Sequence, residues 1–225
     1  MMMESSKRSI RQVKGAVAMG MALLLAGCIS LGAEVPDTLL TLSSETRAPA
    51  GASASAAFAE GTGADTSRAI AVLAPEVPAK LDVLRVPVNV SSTEIAYLPE
   101  TFWVEKPARL FRALLGEALR SKASAGSTGS EAGGEAAIFV LDSDDTPLRA
   151  GTFLRGTLSE MSYDAPAREV VVRFDAVRSD GRGNAVSRRF EARESAISAE
   201  PAEIGPALNR AANEVANEVA DWMMG

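Results

Sequence analysis

Few residues in this sequence carry catalytic or ligating chemistry, and their spacing narrows what that chemistry can be. Asp142, Asp144 and Asp145 fall together in the run Leu141-Asp142-Ser143-Asp144-Asp145-Thr146-Pro147. Hard cations such as Ca²⁺ select clustered carboxylates. The run lacks the Gly and distal Glu of a calcium loop, so it reads as an acidic turn after a strand and no metal is expected. Histidine is absent from all 225 residues, which removes the commonest general base and metal ligand together. A serine nucleophile would then need a lysine base, and Lys80, Lys106 and Lys122 all stand outside any Ser-x-x-Lys spacing. The single thiol is Cys28, and one Cys cannot form an intramolecular disulfide. These residues predict no enzyme and no cofactor.

Binding chemistry is limited in the same way. Aromatic residues are only 5% of the chain. Tyr97, Phe102 and Trp103 could line a lipid or partner surface, but a chain this poor in aromatics needs them in its core. Arg109 and Arg112 could meet lipid headgroups or an acidic partner, and otherwise form the solvated face of a helix. The formal net charge is −6, and removing residues 1–27 with their net +3 leaves −9. With no clustered Lys and Arg, nucleic acid is excluded as a partner.

The N-terminus gives the lone Cys a context. Lys7, Arg8, Arg11 and Lys14 precede an uncharged, mostly apolar stretch from Ala16 to Leu25. That is the length of a signal-peptide core and shorter than the roughly 20 apolar residues of a membrane span. The stretch ends in Leu25-Ala26-Gly27-Cys28, which resembles the lipobox of bacterial lipoproteins. The resemblance implies cleavage after Gly27, lipid attachment at Cys28 and attachment to a membrane through that lipid. Ile29, rather than Asp, follows the Cys and points to the outer membrane, facing the periplasm.

Beyond the Cys, residues 28–35 read as a tether and 36–225 as one folded domain. Leu39 to Leu42 is long enough for one edge strand. Residues 48–67 and 123–136 are rich in Ala, Gly and Ser and read as flexible loops. Strands are expected over Ala69–Leu73 and Val83–Val90. Pro107 opens a helix to Lys122, with Leu110, Phe111, Leu114, Leu115, Ala118 and Leu119 on one stripe. The apolar run Ala137–Leu141 suggests a central strand. Leu154, Gly156 and Leu158, then Val170, Val172, Phe174 and Ala176, alternate at period two and continue through Val186–Ala192 after the turn Ser179-Asp180-Gly181, as an antiparallel meander does. Pro201–Met224 is a second helix whose stripe is Ile204, Leu208, Ala211, Val215, Val219 and Trp222. The expected fold is α+β, a mostly antiparallel sheet with two helices packed on one face.

The stretch VPAKLDVLRVPVNVSSTEIAYLPETFWVEKPARLFRALLGEALRSK, Val77 to Lys122, resembles the ABC-type transport auxiliary lipoprotein family, of which PqiC (YmbA) is a member. The matching features are Pro78-x-x-Leu81, Ile95-Ala96-Tyr97, and Trp103 with Pro107 ahead of the Leu/Phe-rich helix. The later strand with Gly156-x-Leu158 and the closing amphipathic helix fit the same layout. The chain departs from better-known members in its long Ala/Gly/Ser loops. The resemblance implies a non-catalytic accessory lipoprotein beside an ABC transporter and MCE-type proteins, moving phospholipid or other hydrophobic molecules. Some family members assemble as rings, so a homo-oligomer is a further expectation. The residues leave a second class open: another outer-membrane lipoprotein that acts as an envelope assembly factor or periplasmic enzyme activator.

Overall fold

The computed structural model describes residues 38–49, 66–127, 138–142, 150–195 and 197–225. The signal segment 1–27, the lipobox residues Leu25, Ala26 and Gly27, Cys28 and the tether 28–35 lie outside the described residues, as do Asp144 and Asp145.

Seven strands form one sheet: β1 (Ala69–Val72), β2 (Arg85–Asn89), β3 (Ile95–Phe102), β4 (Phe139–Leu141), β5 (Thr152–Asp164), β6 (Glu169–Asp180) and β7 (Ala185–Ser195). Two α-helices accompany it, α1 (Pro107–Ser127) and α2 (Pro201–Met224). The fold is α+β, as expected, with a sheet that is mixed in direction. Its two longest ladders, β5 with β6 and β6 with β7, are antiparallel.

β5 is the spine. One side is taken along its whole length by β6. The other side is shared by two short units, β1 with β4 at its start and β2 with β3 at its end, where β1 and β2 both run parallel to β5. Between them the chain stays alongside β5 through Leu73, whose N–H donates to Leu154, and through Glu76, whose N–H donates to Gly156 and whose carbonyl accepts from Leu158. Pro75 and Pro78 interrupt this run because proline has no N–H for a ladder. Pro87 sits within β2 where the register with β3 shifts.

Period-two alternation sends Val170, Val172, Phe174 and Ala176 into the core and Arg173 and Asp175 to the opposite face. Leu154 and Leu158 join them, and after a bulge between Leu158 and Glu160 the inward residues become Met161 and Tyr163. The predicted stripes of both helices fill the same cluster, where Phe111 meets Phe174 edge-on at 5.3 Å. Ile204, Leu208, Ala211, Val215 and Val219 are fully buried, while Trp222 is half-buried against Phe190. The last turn of α2 is closed by Arg178, whose Nη1 donates to the Trp222 carbonyl at 2.9 Å while its guanidinium stacks over the indole. A cation at these carbonyls satisfies groups the helix leaves unpaired.

Three expectations change. The run ending at Leu141 forms β4 at the end of the sheet, not at its centre. Its continuous apolarity reflects burial on both faces: Val140 faces the main core, and Leu141 joins Ala69 and Ala71 in a small cluster on the other side. The first helix runs to Ser127, into the stretch read as a loop, because Ala123 and Ala125 favour helix; the Ser124 hydroxyl folds back onto the Arg120 carbonyl. Leu39–Leu42 makes a single parallel bridge, Leu40 to Trp103, rather than a strand.

Residues 38–48 form a strap across the helices. The Asn209 side-chain carbonyl accepts the Ser43 N–H, and that of Asn213 accepts the Glu45 N–H, each at 2.8 Å. Asn213 returns a bond from Nδ2 to the Ser43 carbonyl at 2.9 Å, and Glu117 accepts from the Ala48 N–H. Leu40 lies so close to α2 that a Cβ at Gly205 would come within 2.8 Å of its side chain.

Candidate functional site

Two places in the described structure gather polar groups with a defined geometry. The first is inside the β2–β5 junction. The Lys80 ammonium donates to both oxygens of Glu160 at 2.7 Å. Asn89 Nδ2 donates to Ser162 Oγ at 3.0 Å, and Ser162 in turn donates to Glu160. The fold therefore brings a serine, a carboxylate and a lysine together although their sequence spacing hides it. Ser162 is fully buried, so no substrate reaches its hydroxyl. The cluster instead satisfies the polar groups that the β5 bulge turns away from the helices, which is what buried polar groups require.

The second is a cleft of about 670 Å³ between β3, the strap and the start of α2. Such a volume falls in the range of small-ligand sites. Its walls are largely apolar, with Leu40, Leu98, Phe102 and Pro206 among them, and its polar groups include Glu100 and Glu200. It exists because β3 departs from β2. Phe102 pairs with Arg85 and Tyr97 with Pro87, leaving Leu98 to Thr101 as a protruding bulge. Glu100 holds a positive φ of 48° there, a conformation that costs a non-glycine residue about 1–3 kcal/mol. The Thr101 hydroxyl donates to the Pro99 carbonyl and stiffens the turn. Next to the cleft residues of α2, the Glu203 carboxylate accepts the Ser198 N–H, which holds its pKa below the usual carboxylate value. Pro206 removes one helical N–H beside the first turn.

Of the residues singled out from sequence, Lys80 belongs to the first cluster and Phe102 lines the cleft, and the others fall elsewhere. Asp142 is tied to α1: its carboxylate pairs with Arg120 at 3.0 Å, and it approaches Gly116 so closely that a Cβ there would meet it at 2.3 Å. No group of metal-ligating side chains occurs among the described residues. Lys106 pairs with Asp82 and Lys122 with Asp221. Trp103 is a core residue, as expected; Tyr97 and Phe102 are half-buried. Arg109 pairs with Glu105 on an exposed helix face. The cleft was missed because its walls come from three distant segments, although the helix-breaking sequence Leu98-Pro99-Glu100 marked its bulge.

On the face away from the helices, Arg173 bonds Glu191, Arg193 bonds both Glu191 and Glu169, and Arg189 bonds Asp175. Arg189 holds the Asp175 carboxyl, and Arg173 the Glu191 carboxyl, below the usual range. No described helix is long and apolar enough to cross a membrane, which says nothing of strands.

No family model matches this chain, and no curated protein matches it by sequence. Solved structures do share its fold. A Xanthomonas campestris protein described as a DUF330 family member is 14% identical, with a TM-score of 0.59 over 83% of this chain and 95% of its own. A crystal structure described as an uncharacterized protein is 16% identical, with a TM-score of 0.57 over 70% of this chain and 93% of its own. A PelC dodecamer from Paraburkholderia phytofirmans reaches a TM-score of only 0.34 at 13% identity, over 70% of this chain and 95% of its own.

Proposed function

We propose that this chain is a lipoprotein anchored through Cys28 and facing the periplasm, where it serves as a non-catalytic accessory to an ABC/MCE-type system that moves phospholipid or other hydrophobic molecules across the envelope. The observation that carries the anchor is the position of the only thiol, directly after Leu25-Ala26-Gly27 at the end of an export-type apolar stretch. The transport role is supported by the Val77–Lys122 resemblance, together with a fold shared over most of the DUF330 protein. Partner binding is assigned to the cleft beside β3, whose apolar walls and carboxylate rim suit an apolar segment flanked by basic residues.

Labelled palmitate and envelope fractionation test the anchor. The wild type takes up label and sediments with the outer membrane, because lipidation with more than one chain holds a protein where a single chain binds only marginally. Cys28→Ser loses both label and membrane. Unlabelled wild type, or a Ser variant still in the outer membrane, overturns the anchor. Crosslinking the wild type in intact cells tests the role: recovery of an MCE-type protein or ABC permease is expected, and recovery of only an envelope enzyme or assembly machine overturns it.

A further inference from the structure

Among the described residues six large apolar side chains stand exposed: Leu39, Leu84, Val90, Ile95, Val104 and Val186. Five of them gather at the two ends of the β2–β3 hairpin. Val90 and Ile95 flank its tip, where the Val90 N–H donates to Glu94 and Asn89 pairs with Ile95. Leu39, Leu84 and Val104 stand on adjoining segments at its open end. There three chain segments lie side by side: the Leu40 N–H donates to Phe102, the Val104 N–H to Leu40, and the Trp103 N–H to Leu84, all at 2.7–2.8 Å. Leu40 and Trp103 turn into the core, so alternation sends Leu39 and Val104 to the outer side.

The open end differs from the tip in two respects. It adjoins Thr38, and the ten residue-to-residue steps from Cys28 to Thr38 span at most about 36 Å when fully extended. A lipid on Cys28 therefore keeps this end within reach of the bilayer it enters. The second respect is charge. Arg85, Lys106 and Arg109 border the open end, accompanied by Asp82 and Glu105 as ion-pair partners of the last two. On a mature chain of net charge −9, this is a border that anionic headgroups do not repel. Long basic side chains beside apolar ones suit a headgroup layer.

We infer that Leu39, Leu84 and Val104 form a lipid-contacting patch on which the domain rests against the membrane surface. This deepens the anchored reading and rests on it. The hairpin tip then points away, leaving the second apolar pair free of lipid.

The test uses the full mature lipoprotein in vesicles of phosphatidylethanolamine and phosphatidylglycerol. Cys28 is blocked by its lipid thioether, so single cysteines at Leu39, Leu84, Val104, Val90 or Ile95 can each carry a nitroxide. Collision rates with oxygen and with a water-soluble nickel complex report depth. Labels at Leu39 and Val104 should favour oxygen over nickel several-fold relative to Val90 and Ile95, which stay water-like. Leu39→Glu with Val104→Glu, both at exposed positions, should keep the melting temperature and return a Leu84 label to water-like values. Palmitate-labelled protein whose five sites are all water-like overturns the patch while the anchor stands. Spin–spin broadening at Leu39 or Val104 means a second copy covers the patch, which also overturns it. Absence of palmitate removes the anchor and the patch together.

Discussion

The two sides of β5 are built on different terms. On one side β6 and β7 form long antiparallel ladders joined by tight turns and broken only by the bulge between Leu158 and Glu160, with apolar residues inward and alternating Arg and Glu or Asp outward. On the other, residues 69–89 run along β5 as short parallel pieces broken by Pro75 and Pro78, and β3 bulges from its partner. On the regular side cross-strand ion pairs occupy the outer face, and charged side chains along the long edge strand discourage pairing with other chains. The irregular side holds the cleft, the strained Glu100 and the exposed apolar residues at the hairpin ends. Backbone that departs from a regular ladder can present side chains and gaps that a ladder would close, and here that departure lies on the side where the chain enters the domain.

The largest expected effect tests the core both sides share. Val215→Asp puts a carboxylate into a fully buried site on α2 and should cost several kcal/mol or prevent folding. Glu218→Ala, exposed on the same helix, should stay within about 0.5 kcal/mol. Urea denaturation distinguishes them, and equal stabilities would reverse the orientation of α2. Next comes the junction of the irregular side with β5. Lys80→Ala leaves the largely buried Glu160 without its cation and should cost about 2–3 kcal/mol by the same measurement. An effect as small as that of a surface pair would mean that β2 is held by its backbone alone.

Much of the regular side was legible in the sequence. Val170, Val172, Phe174 and Ala176 alternate over a stretch whose partners are its sequence neighbours, so period and turn define the pairing together. Both helices were legible from apolar stripes, α2 over its full length. The irregular side was not, because its parallel pairings join segments some eighty residues apart and no local turn encodes them. For the same reason the Lys80–Glu160–Ser162 cluster could not be foreseen. The strap left a faint sign: Asn209 and Asn213, four residues apart along the α2 surface, are polar residues beside an otherwise apolar stripe. Asn213 proves to be buried.

Two smaller effects sharpen the contrast. Glu100→Gly relieves the positive φ of the bulge and should raise stability by about 0.5–1 kcal/mol in thermal or urea melts. A loss would show that the Glu100 side chain contributes more than its backbone costs. On the outer face of the meander, Asp175→Asn should cost no more than a few tenths of a kcal/mol, since its pair with Arg189 is partly exposed. The folded-state pKa of Asp175 is depressed, so its contribution is present above the unfolded carboxylate value of about 4 and fades as pH falls through the lower folded value. The difference between wild type and variant should therefore be seen at pH 6, shrink below pH 4, and weaken in high salt.

The strap has a mechanical meaning. A pull arriving at Thr38 does not peel the sheet from β1, because the first bonds it meets are the Leu40 bridge to Trp103 and the asparagine clasps on α2. Those bonds tie residues 40–45 to β3's end and to successive turns of one helix, so tension entering the chain is divided between sheet and helix as shear. Asn213→Leu would remove the deeper clasp and let residues 38–48 strip away at lower force, with the β5–β6–β7 meander still folded. A domain tied to a membrane by its own chain would thus take up the jolts of that surface in the strap before any of its core strands.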